Sequence, residues 1–173
     1  IKKFPQLKNI GDDPKRPALV QRLDKEVSGL MVVPLTAKFY HHLKKQFQEK
    51  TIKKEYIALV HGQMVNEEGE IKTNLIRDKK TGLMKTQAPE TEGFSAHTIY
   101  QIAQRFNNYT LLKVQIKTGR SHQIRTHLYS IGHSIVGDKL YQTKDLRKKK
   151  KILDQRIFLH ATRLEFTNLQ GEI

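Results

Sequence analysis

The stretch FSAHTIYQIAQRFNNYTLLKVQIKT, residues 94–118, decides the fold class. Phe94 to Phe106 and Tyr109 to Thr118 are rich in β-formers and flank Asn107-Asn108, a dipeptide suited to a tight turn. The second run alternates at Leu112, Val114 and Ile116, which places its apolar side chains on one face of a strand. The pair is predicted as a β-hairpin. Working outward, Gly119 breaks the second strand, Ser121 is positioned to cap a helix reaching about Ile131, and Gly132 stops it. The helical wheel puts Ile124, Leu128 and Ile131 on one face. His122, Arg125, Thr126 and Tyr129 fall on the other, with Arg125 nearest the apolar flank. Upstream, Lys54 to Val60 (KEYIALV) reads as a strand closed by His61-Gly62, and Gly29 to Pro34 (GLMVVP) as a short buried strand. Thr36 is the expected cap of a helix carrying Phe39, Leu43 and Phe47 in line. Residues 66–93 are polar and turn-rich, with strand-like pieces such as Ile71 to Ile76. Ile157 to Ala161 and Leu164 to Thr167 read as closing strands, and Arg147 to Lys151 (RKKKK) as a mobile surface block. Hairpins with a few interspersed helices predict an α+β fold rather than a βαβ nucleotide fold.

The chain has 173 residues and 37% hydrophobic composition, enough for one domain, 1–173, with its own core. Lys2 to Pro17 reads as an irregular lead-in. No apolar run approaches the ~20 residues of a membrane span. No basic-then-apolar leader opens the chain, and a start at Ile1 leaves an upstream segment expected. With no cysteine, disulfides, thiolate nucleophiles and Cys-ligated metals are excluded, and a reducing, cytoplasmic location is expected. Lys plus Arg number 32 against 17 Asp plus Glu, a net charge of +15. So basic a domain is suited to a polyanion, with nucleic acid the first candidate and an anionic membrane surface the second.

Cofactor signatures are missing: there is no G-x-G-x-x-G, no Walker loop and no H-E-x-x-H. The adjacent His41 and His42 point apart on their helix and read as solvated; His122 and His127, five apart, are poorly spaced for one metal. Two stretches concentrate chemistry. In the first, Arg22-Leu23-Asp24 runs through Ser28-Gly29 into the apolar strand. A carboxylate flanked by Arg22 and Lys25 is suited to nucleophilic or general-base work, although an Asp in a turn is its plainer reading. The second, Thr118 to Leu128, gathers Arg120, His122, Gln123, Arg125 and His127 around a helix start, where N–H groups and the helix dipole favour anions. A solvated basic helix face is the plainer alternative. Tyr56 is either core packing or an aromatic platform for a nucleobase.

These segments, in this order, resemble the RluA-type family of pseudouridine synthases. VQRLDKEVSGLMVV (20–33) is similar to the family's H-R-L-D-x-x-T-S-G-L, and KKEYIALVHG (53–62) to K-x-Y-x-A-x-V-x-G. TGRSHQIRTHLYSIGHSIVGDKLY (118–141) is similar to G-R-T-H-Q-I-R-x-H-L-x-x-x-G-H-P-I-x-G-D-x-x-Y. RIFLHATRLEF (156–166) resembles the closing R-x-x-L-H-A-x-x-L-x-F. The likeness runs from Pro17 to Phe166. Gln21, Val27, Ser121 and Ser134 depart from the usual His, Thr, Thr and Pro.

The resemblance implies a mostly antiparallel mixed sheet with flanking helices around a central cleft, in a catalytic domain lacking an N-terminal segment or RNA-binding domain. It implies a cofactor-free, metal-free isomerisation of uridine in RNA, with ribosomal RNA favoured over transfer RNA. A monomer is expected, with no membrane partner. Asp24 is then the essential carboxylate, acting at C1′ or on the 2′ hydrogen. Arg125 pairs with it, and Tyr56 stacks on the uracil. Arg22 fills the gap left by a flipped nucleotide, and Lys54, Arg120, His122 and Gln123 bind substrate. Lys44, Lys45, Lys53, Lys54 and Arg147 to Lys151 are candidate phosphate contacts. The alternatives are a non-catalytic RNA-binding or ribosome-assembly module of the same fold, and a metal-dependent nuclease using Asp24 and Asp138.

Overall fold

A computed structural model describes residues 3–148 and 156–173. The 94–118 hairpin lies within its sheet as β5 (Phe94–Arg105) and β6 (Tyr109–Ile116), paired antiparallel from Thr98↔Ile116 to Arg105↔Thr110. The other strands are β1 (Ser28–Gly29), β2 (Lys53–His61), β3 (Glu68–Arg77), β4 (Met84–Gln87) and β7 (Leu159–Glu165). The seven described strands run in the order β1-β7-β2-β6-β5-β3-β4. β1 and β7 are parallel and the other pairs antiparallel, so the α+β expectation holds.

Strand alternation builds the core. Ala58 and Val60 of β2, Leu112 and Val114 of β6 and Tyr100 of β5 face the same side and are buried. On that layer pack Ile124 and Leu128 of α2 (Gln123–Ser130), with Ile135 and Ile157. α1 (Ala37–Glu49) begins at Thr36, whose hydroxyl accepts from the Phe39 amide at 3.2 Å. Its Tyr40 packs with Leu7, Ile10 and Ala18, which ties the lead-in segment and its 3-10 turn at Pro5–Asn9 to the domain.

Four expectations need correction. The GLMVVP run is not a buried strand: only Ser28 and Gly29 pair with β7, and Leu30, Met31 and Val33 are exposed. Once two residues have paired, the chain leaves the sheet edge. Ser121 does not cap α2. His122 does, in the left-handed conformation (φ 53°), with no side-chain cap. α2 has no solvated face along Gln123–Leu128, all of which is buried, while Ile131 is exposed. The two closing strands are one, β7. Of the basic block, Arg147 and Lys148 belong to α3 (Lys144–Lys148), and residues 149–151 lie outside the described residues. No helix among the described residues is long and apolar enough to cross a membrane.

Candidate active site

Asp24 lies in the loop that leads into β1, and that loop is fastened at one point. Gly29 sits at φ +129° against β7, and a Cβ there would lie 2.3 Å from the Ala161 amide nitrogen. Only glycine fits so close a backbone approach. Ser28 reinforces the tether: its hydroxyl bonds His160 Nδ1 at 2.7 Å and accepts from the Arg156 guanidinium. The Leu30 amide donates to Ala161 O at 3.0 Å. A turn bonded from Val27 N to Asp24 O at 3.0 Å then presents the carboxylate toward α2.

From α2, Arg125 reaches out of the protein interior with its side chain 2% exposed. Its main partner is Asp138, itself buried. Nε donates to Asp138 Oδ2 at 2.7 Å and Nη2 to Oδ1 at 2.8 Å. Asp138 Oδ1 also accepts from the amides of Leu140 and Tyr141, at 2.9 and 3.1 Å. The third guanidinium nitrogen, Nη1, faces Asp24 Oδ2 at 3.4 Å, and the Tyr141 ring lies 5.2 Å beneath the guanidinium. Glu26 approaches Nη2 at 3.6 Å from the exposed side. Burial acts most strongly on Arg125 and opposes its charge. The hydrogen bonds and charges of Asp138 and Asp24 outweigh it and raise its pKa. The cation is thus permanent, and Asp138 fixes its plane while one edge remains for Asp24.

Eight of the residues singled out by sequence line one cleft of about 620 Å³: Arg22, Asp24, Lys54, Tyr56, Arg120, His122, Gln123 and Arg125. Lys44, Lys45 and Lys53 lie outside its lining and pair with Asp12, Glu49 and Glu55 instead. The eight differ in what is left for a ligand. Tyr56 packs against the core on one side, and burial, then the nearby Asp24 charge, pushes its phenol up to about 12. It presents a neutral ring and hydroxyl at any ordinary pH. Arg22 is exposed at the rim. Gln123 is committed internally. Its Oε1 accepts from Thr118 Oγ1 and the Arg120 amide, at 2.7 and 3.0 Å. Its Nε2 donates to His97 O and Thr98 Oγ1, both at 3.0 Å. It holds the 118–123 loop against β5. Arg120 donates to Ser95 O at 3.1 Å and covers the Phe94 ring. His122 Nδ1 pairs with the Tyr141 hydroxyl at 2.9 Å, and its pKa is lowered chiefly by burial. Gln21 also lines the cleft, with a buried Nε2 that has no hydrogen-bond partner among the described residues. His41 is exposed, whereas His42 bonds Thr167 O at 2.9 Å.

Asp138 is the residue whose role sequence reasoning missed. The sequence offers it only as a metal carboxylate with Asp24, and the two do converge, but on the guanidinium between them. Among the described residues no three His, Cys, Asp or Glu side chains cluster as a metal site.

A mixed sheet whose cleft holds a carboxylate against a buried arginine, beside an aromatic ring, is the setting in which the comparisons fall. The family model described as RNA pseudouridylate synthase matches residues 3–130, and the chain belongs to that family, in its RluA-type branch. It is 39% identical over 156 residues to an uncharacterized RNA pseudouridine synthase of Helicobacter pylori, covering 90% of this chain and 61% of the relative. It is 38% identical over 153 residues to the dual-specificity RNA pseudouridine synthase RluA of Vibrio parahaemolyticus, covering 86% and 59%. The chain thus spans roughly three fifths of each of these relatives. A solved structure of human RNA pseudouridylate synthase domain containing 1 superposes with a TM-score of 0.78, covering 89% of this chain and 65% of that one, at 23% identity. That likeness shows the fold.

Proposed function

We propose that the chain isomerises uridine to pseudouridine in RNA, with ribosomal RNA as the leading substrate and transfer RNA the second. The observation that carries this reading is Asp24, presented in an open cleft on the free edge of a guanidinium that Asp138 has already neutralised. The reaction breaks the N1–C1′ bond, turns the uracil, and rejoins it through C5. The C5 hydrogen is released as a proton and N1 regains one, so nothing is oxidised or hydrolysed. Asp24 supplies the oxygen that either attacks C1′ or takes the 2′ hydrogen. Arg125 orients that carboxylate. Tyr56 offers a flat face to the everted uracil, and its raised pKa suits it to donating a hydrogen bond rather than serving as a phenolate base. Arg22, at the rim, fills the stack that the nucleotide leaves. The net charge of +15 supports an RNA partner held by salt-sensitive contacts.

The test uses RNA tritiated at uridine C5, taken from cells lacking the protein, with release of tritium to water as the readout. Wild type should release label, and Asp24→Asn should release none while its RNA affinity stays within about twofold. If neither protein releases label and both bind equally, the chain is a binding module that keeps the fold.

A further inference from the structure

We propose that Phe94 is a stacking platform for a second base of the RNA, one that stays outside the cleft while the target uracil lies inside it. The inference rests on the RNA reading and adds a contact surface to it.

Phe94 stands where the strand period calls for burial. On β5 it shares a face with Ala96, Thr98 and Tyr100, all buried, and its partner across the ladder is Leu75 of β3, buried too. Ala96 is the last inward position at this end of β5 that the core covers. Phe94, one step further on the same face, is 63% exposed.

Two arginines flank the ring, and neither pairs with a carboxylate among the described residues. Arg120 lies over it, with its guanidinium carbon 5.3 Å from the ring centre, and is pinned there by Nε donating to Ser95 O at 3.1 Å. Arg77 follows Leu75 by two positions on the same face of β3. That sets it diagonally across from Phe94, about 7–8 Å away between backbones. Its Nη1 donates to Gly82 O at 2.6 Å, a neutral partner. Arg120 also lines the cleft, and Arg77 is close enough for its charge to act on His122 in the cleft wall. The three side chains therefore form a surface continuous with the cleft.

An exposed ring between two cations that lack an acid suits a nucleotide of single-stranded RNA. The base offers a flat face to the ring, and the sugar-phosphate offers an anion to the guanidinium groups. An apolar protein partner would strip water from both cations and give nothing back. Catalysis supplies the need: everting the target takes stacking away from its neighbours, and an aromatic face beside the cleft restores it for one of them.

The chain contains no tryptophan, so Phe94→Trp makes the site its own fluorescent reporter. A short oligouridylate should quench the emission. An abasic oligomer of the same length and charge, added until bound, should not. Phe94→Ala should bind oligouridylate about tenfold more weakly than wild type, and the abasic oligomer equally well. The slope of log Kd on log salt should stay the same, because the lost contact is not ionic. The melting temperature should stay within about two degrees, as for other exposed positions. Equal quenching by the abasic oligomer overturns the platform, as does an alanine variant that binds oligouridylate like wild type, or a wild type that binds none. Weaker binding of both oligomers with a lowered melting temperature would make Phe94 a packing residue, and the proposal fails. Emission that follows protein concentration and not RNA would make it a contact between copies, and the proposal fails again. If oligouridylate quenches in a protein that releases no tritium, only the isomerase reading fails. If tritium is released and Phe94→Ala changes nothing, only the platform does.

Discussion

Acid should loosen the helix that carries Arg125, through His127. This imidazole is fully buried between two threonines. Nδ1 lies 2.8 Å from Thr98 Oγ1 of β5, and Nε2 lies 3.1 Å from Thr73 Oγ1 of β3. Burial, reinforced by the nearby His97, takes its pKa from 6.5 down to about 4. The unfolded chain therefore binds a proton from about pH 6.5 downward, and the folded chain only near pH 4. Stability from the neutral ring is complete above the unfolded value and is lost as pH falls through that window. At about 1.36 kcal/mol per pH unit, the gap is worth roughly 3 kcal/mol. The assay is urea unfolding of wild type and His127→Gln at intervals between pH 7.5 and 4. The variant should be less stable at pH 7.5, and its stability should fall by about 3 kcal/mol less across the range. Taking the difference cancels the other titrating groups, including His122, whose pKa is also lowered. Parallel pH profiles, or an NMR titration of His127 with a midpoint above 6, would refute the reasoning.

Asp138→Asn should cost about 3–5 kcal/mol in thermal unfolding, because it takes from a buried guanidinium its nearest and only fully buried counter-charge among the described residues. Adding Arg125→Met should recover much of that stability without restoring the proposed isomerisation, and a single variant within ~0.5 kcal/mol of wild type would remove Asp138 from its holding role. Gly29→Ala should break the β1–β7 pairing, since the colliding atoms are backbone and cannot swing aside. Hydrogen exchange at the Leu30 amide should then rise to the rate of an open loop, with loss of the proposed isomerisation; retained protection would contradict the tether.

The legible parts of the sequence were those governed by local rules. The Tyr109–Ile116 strand announces itself by alternation, and α1 by a threonine followed by an amphipathic helix. The GLMVVP run misled because an apolar run signals burial only if the chain stays in the sheet, and here it leaves after Gly29. α2 misled for the opposite reason. A wheel sorts residues by hydropathy and so assigns arginine to water, whereas Arg125 is buried by an acid 13 positions later. Gly137-Asp138 and Tyr141 stood within the segment that carried the resemblance, but charge pattern alone does not say which acid answers which base. Gln123 was likewise legible as polar and near the site, yet all its hydrogen bonds turn inward.

The placement of β7 between β1 and β2 has a consequence for biosynthesis. Its residues are translated after those of every other strand in the sheet, yet the loop bearing Asp24 has nowhere to dock until Ala161 arrives. A nascent chain stopped short of Leu159 would expose the inner edge of β2 and leave Ser28 and Gly29 adrift. A ribosome-bound intermediate of that length would therefore be inert toward RNA and prone to pairing with foreign strands.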